Sequence, residues 1–230
     1  MLRFLGFFAL TFVVYLVLIR LPVIGSLASI PFLGFFLAAA IVSRFLTKGG
    51  ALALDRRKQK ALMRELGAVD TPHNKGKLGM LFLSQRRFEQ AIPLLNEAVS
   101  AEPDSADLNY RLGKACLGAK QFDEAIAILT RAVEINEEHA YGSAMMRLGE
   151  AKFEASDPEG ALEAYQRVER NHGPSPESAY RLGMTLKALG RKEEAVATLA
   201  SVRQLAREAV GYQKRAANLW SFRAAMARLF

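Results

Sequence analysis

A leucine followed by a glycine returns four times at almost constant spacing. Leu78-Gly79, Leu112-Gly113, Leu148-Gly149 and Leu182-Gly183 stand 34, 36 and 34 residues apart. Self-similarity at a period of this length marks a stacked array, in which each unit is one supersecondary element that buries its apolar face against its neighbours. The residues between the pairs are rich in Ala, Leu, Glu, Lys and Arg, which favour helix. The expected fold class is therefore all-α, and the expected body is an α-solenoid of four helix pairs.

The first fifty residues read differently. They contain no Asp or Glu, and their only charged side chains are Arg3, Arg20, Arg44 and Lys48. Phe4 to Ile19 is an uncharged stretch of 16 residues, and Leu21 to Ser43 is one of 23. A bilayer core about 30 Å thick needs about 20 helical residues, so the first stretch spans if Arg3 and Arg20 reach outward. Between them Arg20, Pro22, Gly25 and Ser26 carry the chemistry of a tight reversal. The pattern predicts a transmembrane helical hairpin over 1–50, with spans of about 3–20 and 27–44. A cleaved leader ending near Ala28 is the rival reading, and the second apolar run that follows at once weighs against it. Gly49-Gly50 is expected to end the second span. A basic juxtamembrane helix and linker over 51–71 should follow, closed by Gly67 and Asp70-Thr71-Pro72.

Charge is segregated along the chain. Residues 1–64 carry nine basic and one acidic side chain, residues 65–202 carry 16 and 21, and residues 203–230 carry six and one. The overall +8 thus belongs to the two ends. A nucleic-acid surface along the body would need a basic stripe there, so no nucleic-acid partner is expected. Arg56, Arg57, Lys58 and Lys60, with Lys214 and Arg215 in the tail, are candidates for contact with anionic lipid. The same basic excess after the second span places the N-terminus and the body on the cytoplasmic side, in a bacterial-type inner membrane. The one cysteine, Cys116, forms no internal disulfide and reads as a small buried hydrophobe.

From Pro72 onward further positions agree in phase. They include Ala91, Ala125, Ala161 and Ala195, with Leu95, Leu129, Tyr165 and Leu199 four residues later. Acidic residues open each second helix, as in Asp123-Glu124 and Glu193-Glu194, where the helix dipole favours them. On these residues the chain resembles the tetratricopeptide repeat family over about 72–207, with repeats at 72–105, 106–141, 142–175 and 176–207. The third repeat arrives two residues late, so the turn around Glu138 to Gly142 should be irregular. Cys116 and Lys152 stand where the family usually has bulk. Residues 208–230 read as a basic amphipathic C-terminal helix. It either caps the array with Tyr212, Ala216, Leu219 and Trp220 or lies on lipid.

No constellation for chemistry is visible. His73, His139 and His172 are isolated, no zinc spacing occurs, and no Gly-rich phosphate loop precedes a Lys-Ser or Lys-Thr. No enzyme activity, cofactor, metal or small-molecule substrate is expected. The resemblance implies that the first helix of each pair lines a concave groove for a protein or peptide partner. That groove would hold Lys77, Met80, Tyr110, Arg111, Met146, Arg147, Phe153, Tyr180, Arg181 and Met184. Reversing Arg111, Arg147 and Arg181 to Glu is then expected to abolish partner capture without unfolding. The chain reads as a membrane-anchored scaffold that recruits or positions a partner, in envelope biogenesis or complex assembly. The alternatives are a membrane-surface or membrane-shaping protein using hairpin and tail, and an extracytoplasmic assembly factor.

Overall fold

The computed structural model describes residues 2–18, 20 and 33–228. They divide into two units, Met1–Arg64 and Glu65–Phe230, and contain helices and no strand.

In the first unit α1 covers Leu2–Leu18, and α2 starts at Leu33 and runs to Ala68. Leu18 and Ala38 are buried in one cluster with Val14 and Tyr15 packed against it, so α1 and α2 touch there. One expectation is corrected. α2 passes through Gly49-Gly50 without a break, so the second apolar stretch and the basic segment are one helix of 36 residues. Each interior glycine costs a helix only about 1 kcal/mol, and strong helix formers flank the pair with no proline from 33 to 71. Moreover, among the described residues no helix is long and apolar enough to cross a membrane. The expected reversal at 21–26 and the start of the second span lie outside the described residues, as do the side chains of Arg56 and Arg57.

The second unit is a stack of helix pairs. The pairs are α3 (Pro72–Ser84) with α4 (Phe88–Ala101), α5 (Ala106–Gly118) with α6 (Phe122–Ile135), α7 (Ser143–Glu154) with α8 (Pro158–His172), and α9 (Pro176–Ala188) with α10 (Lys192–Glu208). A single 3-10 turn over Gly211–Gln213 leads into α11 (Lys214–Ala227). Starts are written locally. Thr71, Ser105, Asp157 and Ser175 each accept the backbone N–H three residues on, and proline opens α3, α8 and α9.

The Leu-Gly signal has a direct cause. A Cβ on Gly79, Gly113, Gly149 or Gly183 would stand 2.5–2.7 Å from Leu95, Leu129, Tyr165 or Leu199 of the paired helix. The two helices of each pair cross where one has no side chain, and the large apolar residue fills that place. Leu95, Leu129 and Tyr165 are at most 1% exposed, and Ala91, Ala125 and Ala161 are wholly buried. Each first helix also touches the next first helix, whereas no second helix among the described residues touches the next second helix. The first helices therefore line the inner side of the array.

First helices end in one recurring device. Arg86, Lys120, Ser156 and Gly190 hold φ of 60°, 63°, 66° and 75°. The following amide donates back to the carbonyl five residues earlier, at 2.8–2.9 Å: Arg87 to Phe82, Gln121 to Cys116, Asp157 to Lys152 and Arg191 to Leu186. Only the fourth turn has the glycine that this left-handed position prefers. A left-handed L-residue costs about 1–2 kcal/mol, and glycine's greater chain entropy returns part of that. Arg86→Gly and Lys120→Gly should each stabilise the array by about 0.5 kcal/mol, read as a higher urea midpoint.

The late third repeat produces the irregular turn. Ala140, Tyr141 and Gly142 all hold positive φ, at 50°, 55° and 72°. His139 from this turn reaches back to Asp107 at 3.4 Å and meets the Tyr110 ring at a tilt of 58°, with ring centres 5.7 Å apart. Glu137 receives Arg167 Nε and Nη2 at 2.5 and 2.6 Å and Asn171 at 3.0 Å.

α11 packs on α9 and α10. Ala224 joins the last core cluster with Ala179, Leu199 and Val202, and Trp220 packs against it. Tyr212 and Leu219, named above as cover, point outward instead, at 86% and 50% exposed. Capping is thus done by the face carrying Ala217, Trp220 and Ala224.

Candidate partner-binding surface

Three of the four cations expected in the groove do not stand free. Arg111 Nε donates to Asp107 Oδ2 at 2.6 Å, one turn back on its own helix. Arg147 and Arg181 share two carboxylates across the α7–α9 contact. Arg147 bonds Glu150 on its own helix and Glu177 of α9, and Arg181 bonds Glu177 at 3.0 Å and Glu150 of α7 at 3.0 Å. These four side chains are 16–29% exposed and neutralise one another. Burial by itself raises the Glu177 carboxyl, but Arg147 and Arg181 outweigh it and hold it below the usual carboxylate range. Tyr165 lies underneath, its phenol pushed up to about 12 by burial.

The square is therefore a clamp between repeats three and four, which corrects the expected reversal experiment. Glu at 147 and 181 would face Glu150 and Glu177 with no cation between them, so the triple reversal unfolds this junction rather than sparing it. Its signal was present in the sequence: Glu150 follows Arg147 by three residues and Glu177 precedes Arg181 by four, both same-face spacings on a helix.

The apolar members of the expected groove scatter. Met146 is 8% exposed and belongs to the core, and Phe153 packs against it. Tyr180 stacks on Trp220 with ring centres 5.3 Å apart, and Arg181 lies 5.5 Å over the same ring. Trp220 thereby covers the fourth repeat's share of the inner face. Met184 remains half-buried. Lys214 is spent internally, donating to the carbonyls of Arg207 at 2.5 Å and Ala209 at 3.4 Å, where a cation suits the end of α10. Lys58, Lys60 and Arg215 are exposed.

What stays open lies in repeats one and two. Lys77 is exposed and makes no ion pair among the described residues. Met80 and Tyr110 are half-buried against the core. Lys114, which the Leu-Gly reading passed over, stands 6.0 Å over the Tyr110 ring. Partial burial, then Arg147 and Arg111, hold its ammonium below the ordinary lysine value. Beside Lys77 and Met80 is a cavity of about 200 Å³ between α3, α4 and α5, lined also by His73, Glu102 and Asp107. Gly76 opens it, standing in the register of Tyr110, Met146 and Tyr180 in the later repeats. The open inner face thus offers two separated cations, one thioether, one aromatic ring and a notch.

Nothing in the described residues gathers three or more His, Cys, Asp or Glu for a metal. Cys116 is buried, and desolvation pushes its thiol up to about 11. It should resist Ellman's reagent in the folded chain and react at once in denaturant.

Several solved structures share this architecture. MamA residues 41 to the end from Desulfovibrio magneticus RS-1 match with a TM-score of 0.62 at 18% identity, over 73% of this chain and 97% of that one. A crystal structure of MamA matches with a TM-score of 0.58 at 23% identity, over 65% and 87%. YrrB, described as a TPR protein with an unusual peptide-binding site, matches with a TM-score of 0.53 at 20% identity, over 64% and 75%. At these identities the likeness is one of fold. The sequence matches no curated protein. Two family models, both of tetratricopeptide repeats, match residues 82–148 and 146–209. Helix pairs crossing at a bare glycine, stacked at this period and matched by both models, make residues 82–209 of this chain tetratricopeptide repeats.

Proposed function

We propose that this protein is an interaction scaffold, attached to a membrane through residues 1–50, whose repeats hold a partner protein by an extended or helical segment. The observation that carries the reading is the inner face of repeats one and two. There Lys77 and Lys114 make no ion pair among the described residues and stand beside Met80, Tyr110 and the notch at Gly76. A segment with two acidic residues and an apolar anchor for the notch complements that face. The peptide-binding site of YrrB supports this use of the fold. Repeats three and four, locked by the arginine–glutamate square and by Trp220, serve as the rigid support.

Attachment to the membrane rests on the apolar segments. α1 exposes Leu10, Phe12, Val13, Leu16 and Val17, and α2 exposes Phe36, Leu37 and Ile41. Such a patch calls for an apolar cover, and the flanking charges at 44–64 are basic apart from Asp55. The basic excess supports a cytoplasmic array on a bacterial-type inner membrane. Confinement then raises the effective concentration of a captured partner without new contacts.

Lys77→Glu with Lys114→Glu should reduce partner recovery from crosslinked membranes by about tenfold or more, since each cation faces a complementary charge. Arg170→Glu, on the exposed side of α8, should leave recovery unchanged. Equal recovery from both variants rejects the face. Removal of residues 1–50 should release the chain from carbonate-washed membranes while partner binding persists in solution. Loss of binding in that truncated chain would instead favour a membrane-shaping role.

A further inference from the structure

α11 has two apolar faces, and only one is used. Ala217, Trp220 and Ala224 pack inward on α9 and α10. On the opposite side Leu219, Phe222 and Met226 are 50%, 64% and 40% exposed, at spacings that put them on one helix stripe. Leu219 falls 34 residues after Thr185, in the register of Ala151 and Ala115, and all three of those are wholly buried. The array therefore covers this register in its inner repeats and leaves it open at α11.

The surroundings of the stripe are cationic. Arg215 lies within its arc by helix periodicity, and Arg223, at its margin, lays its guanidinium over the Trp220 ring at 4.8 Å. Arg203 and Arg207 on α10 and Arg228 after α11 add to the same end. None of these five makes an ion pair among the described residues. The only carboxylate in residues 203–228, Glu208, accepts from Gln204 at 3.0 Å. An apolar stripe with an arginine margin and no acidic residue is the pattern of a helix lying flat in a lipid interface.

We infer that the outer face of α11 docks on an anionic lipid surface, with Leu219, Phe222 and Met226 entering the head-group boundary and the arginines meeting lipid phosphates. The inference rests on the membrane attachment proposed above, because it makes α11 a second point of contact. Attraction of its arginines to anionic lipid would then fix how the array lies against the surface. An acidic amphipathic helix of a partner protein is the competing occupant. It is disfavoured because the attachment proposed above already holds the chain at a lipid surface, and Phe222, at 64% exposed, is the most exposed side chain of the stripe.

The test uses the full chain in nanodiscs of phosphatidylcholine with and without phosphatidylserine. An environment-sensitive dye is placed at Met226→Cys in a Cys116→Ala background. Anionic discs should shift the dye emission to the blue and neutral discs should not. Arg203→Gln, Arg215→Gln and Arg223→Gln should each weaken the response by about fivefold, and Leu219→Gln with Phe222→Gln should remove it. Equal spectra in the two discs overturn the inference. A shift produced by an acidic amphipathic peptide without lipid overturns it in favour of a protein partner. Incorporation through residues 1–50 is read separately as resistance to carbonate, so failure there strikes the attachment alone and the dye still decides the α11 face.

Discussion

Gly113→Val will lower the unfolding free energy of the repeat array by about 3 kcal/mol, at the upper end of what overpacking costs. A Cβ at residue 113 would stand 2.5 Å from Leu129 Cγ and 3.4 Å from the backbone nitrogen of Leu129. The leucine is wholly buried among Leu112, Ala115, Cys116 and Ala125, so it has nowhere to retreat. Backbone on both sides of the contact is helical, and α5 must move away from α6. Neighbour contacts carry a stacked array, so the damage passes to α3–α4 and α7–α8 through their interfaces. Urea unfolding followed by far-UV circular dichroism reads the loss. Gly67→Val, where a Cβ meets nothing within 4 Å, is the matched control and should cost little. Gly173 is unsuited to this comparison because its φ of 77° strains any side chain.

Glu177→Gln is expected to cost about 2–3 kcal/mol, a discount on the penalty for breaking a fully buried pair because the site keeps some solvent. The change removes the carboxylate shared by Arg147 and Arg181, whose side chains are 21% and 16% exposed, and leaves Glu150 to serve both. The same pair makes stability depend on acid. The Glu177 carboxyl is held below its ordinary value in the fold, so its contribution is fully present above the unfolded glutamate value of about 4.3. That contribution disappears as the pH falls through the lower folded value. The wild-type chain should therefore lose stability on acidification below about pH 4 more steeply than Glu177→Gln does. Parallel acid limbs in the two proteins would show that the square contributes nothing.

The repeat body was legible because its cause is local. A bare glycine in one helix and a large apolar residue 16 positions later are the two halves of a single contact, and both recur in phase. The irregular turn at 138–142 was legible for the same reason, since two extra residues must be stored somewhere. The groove was less so. The position before Leu-Gly is cationic in every repeat, but the carboxylates that neutralise Arg147 and Arg181 come from neighbouring turns and from the adjacent repeat. The pairs within one helix could be read from spacing, but only the stacking joins Arg147 to Glu177 and Arg181 to Glu150. Trp220 was correctly placed as cover. That it would also occlude Tyr180 and Arg181 depends on where α11 lies. Gly49-Gly50 misled because glycine weakens a helix by a fixed amount, while the outcome depends on the whole sequence around it. Gly76 was absorbed into the repeat pattern, yet its lack of a side chain is what opens the notch.

The most direct test is a photocrosslinking residue placed in the intact, membrane-bound chain at Met80, and separately at Arg170 on the outer side of α8. Met80 should yield one discrete protein adduct that disappears when Lys77 and Lys114 are reversed, and Arg170 should yield none. Equal adducts from both positions, or none from Met80, would mean that the inner face of the first two repeats holds no partner.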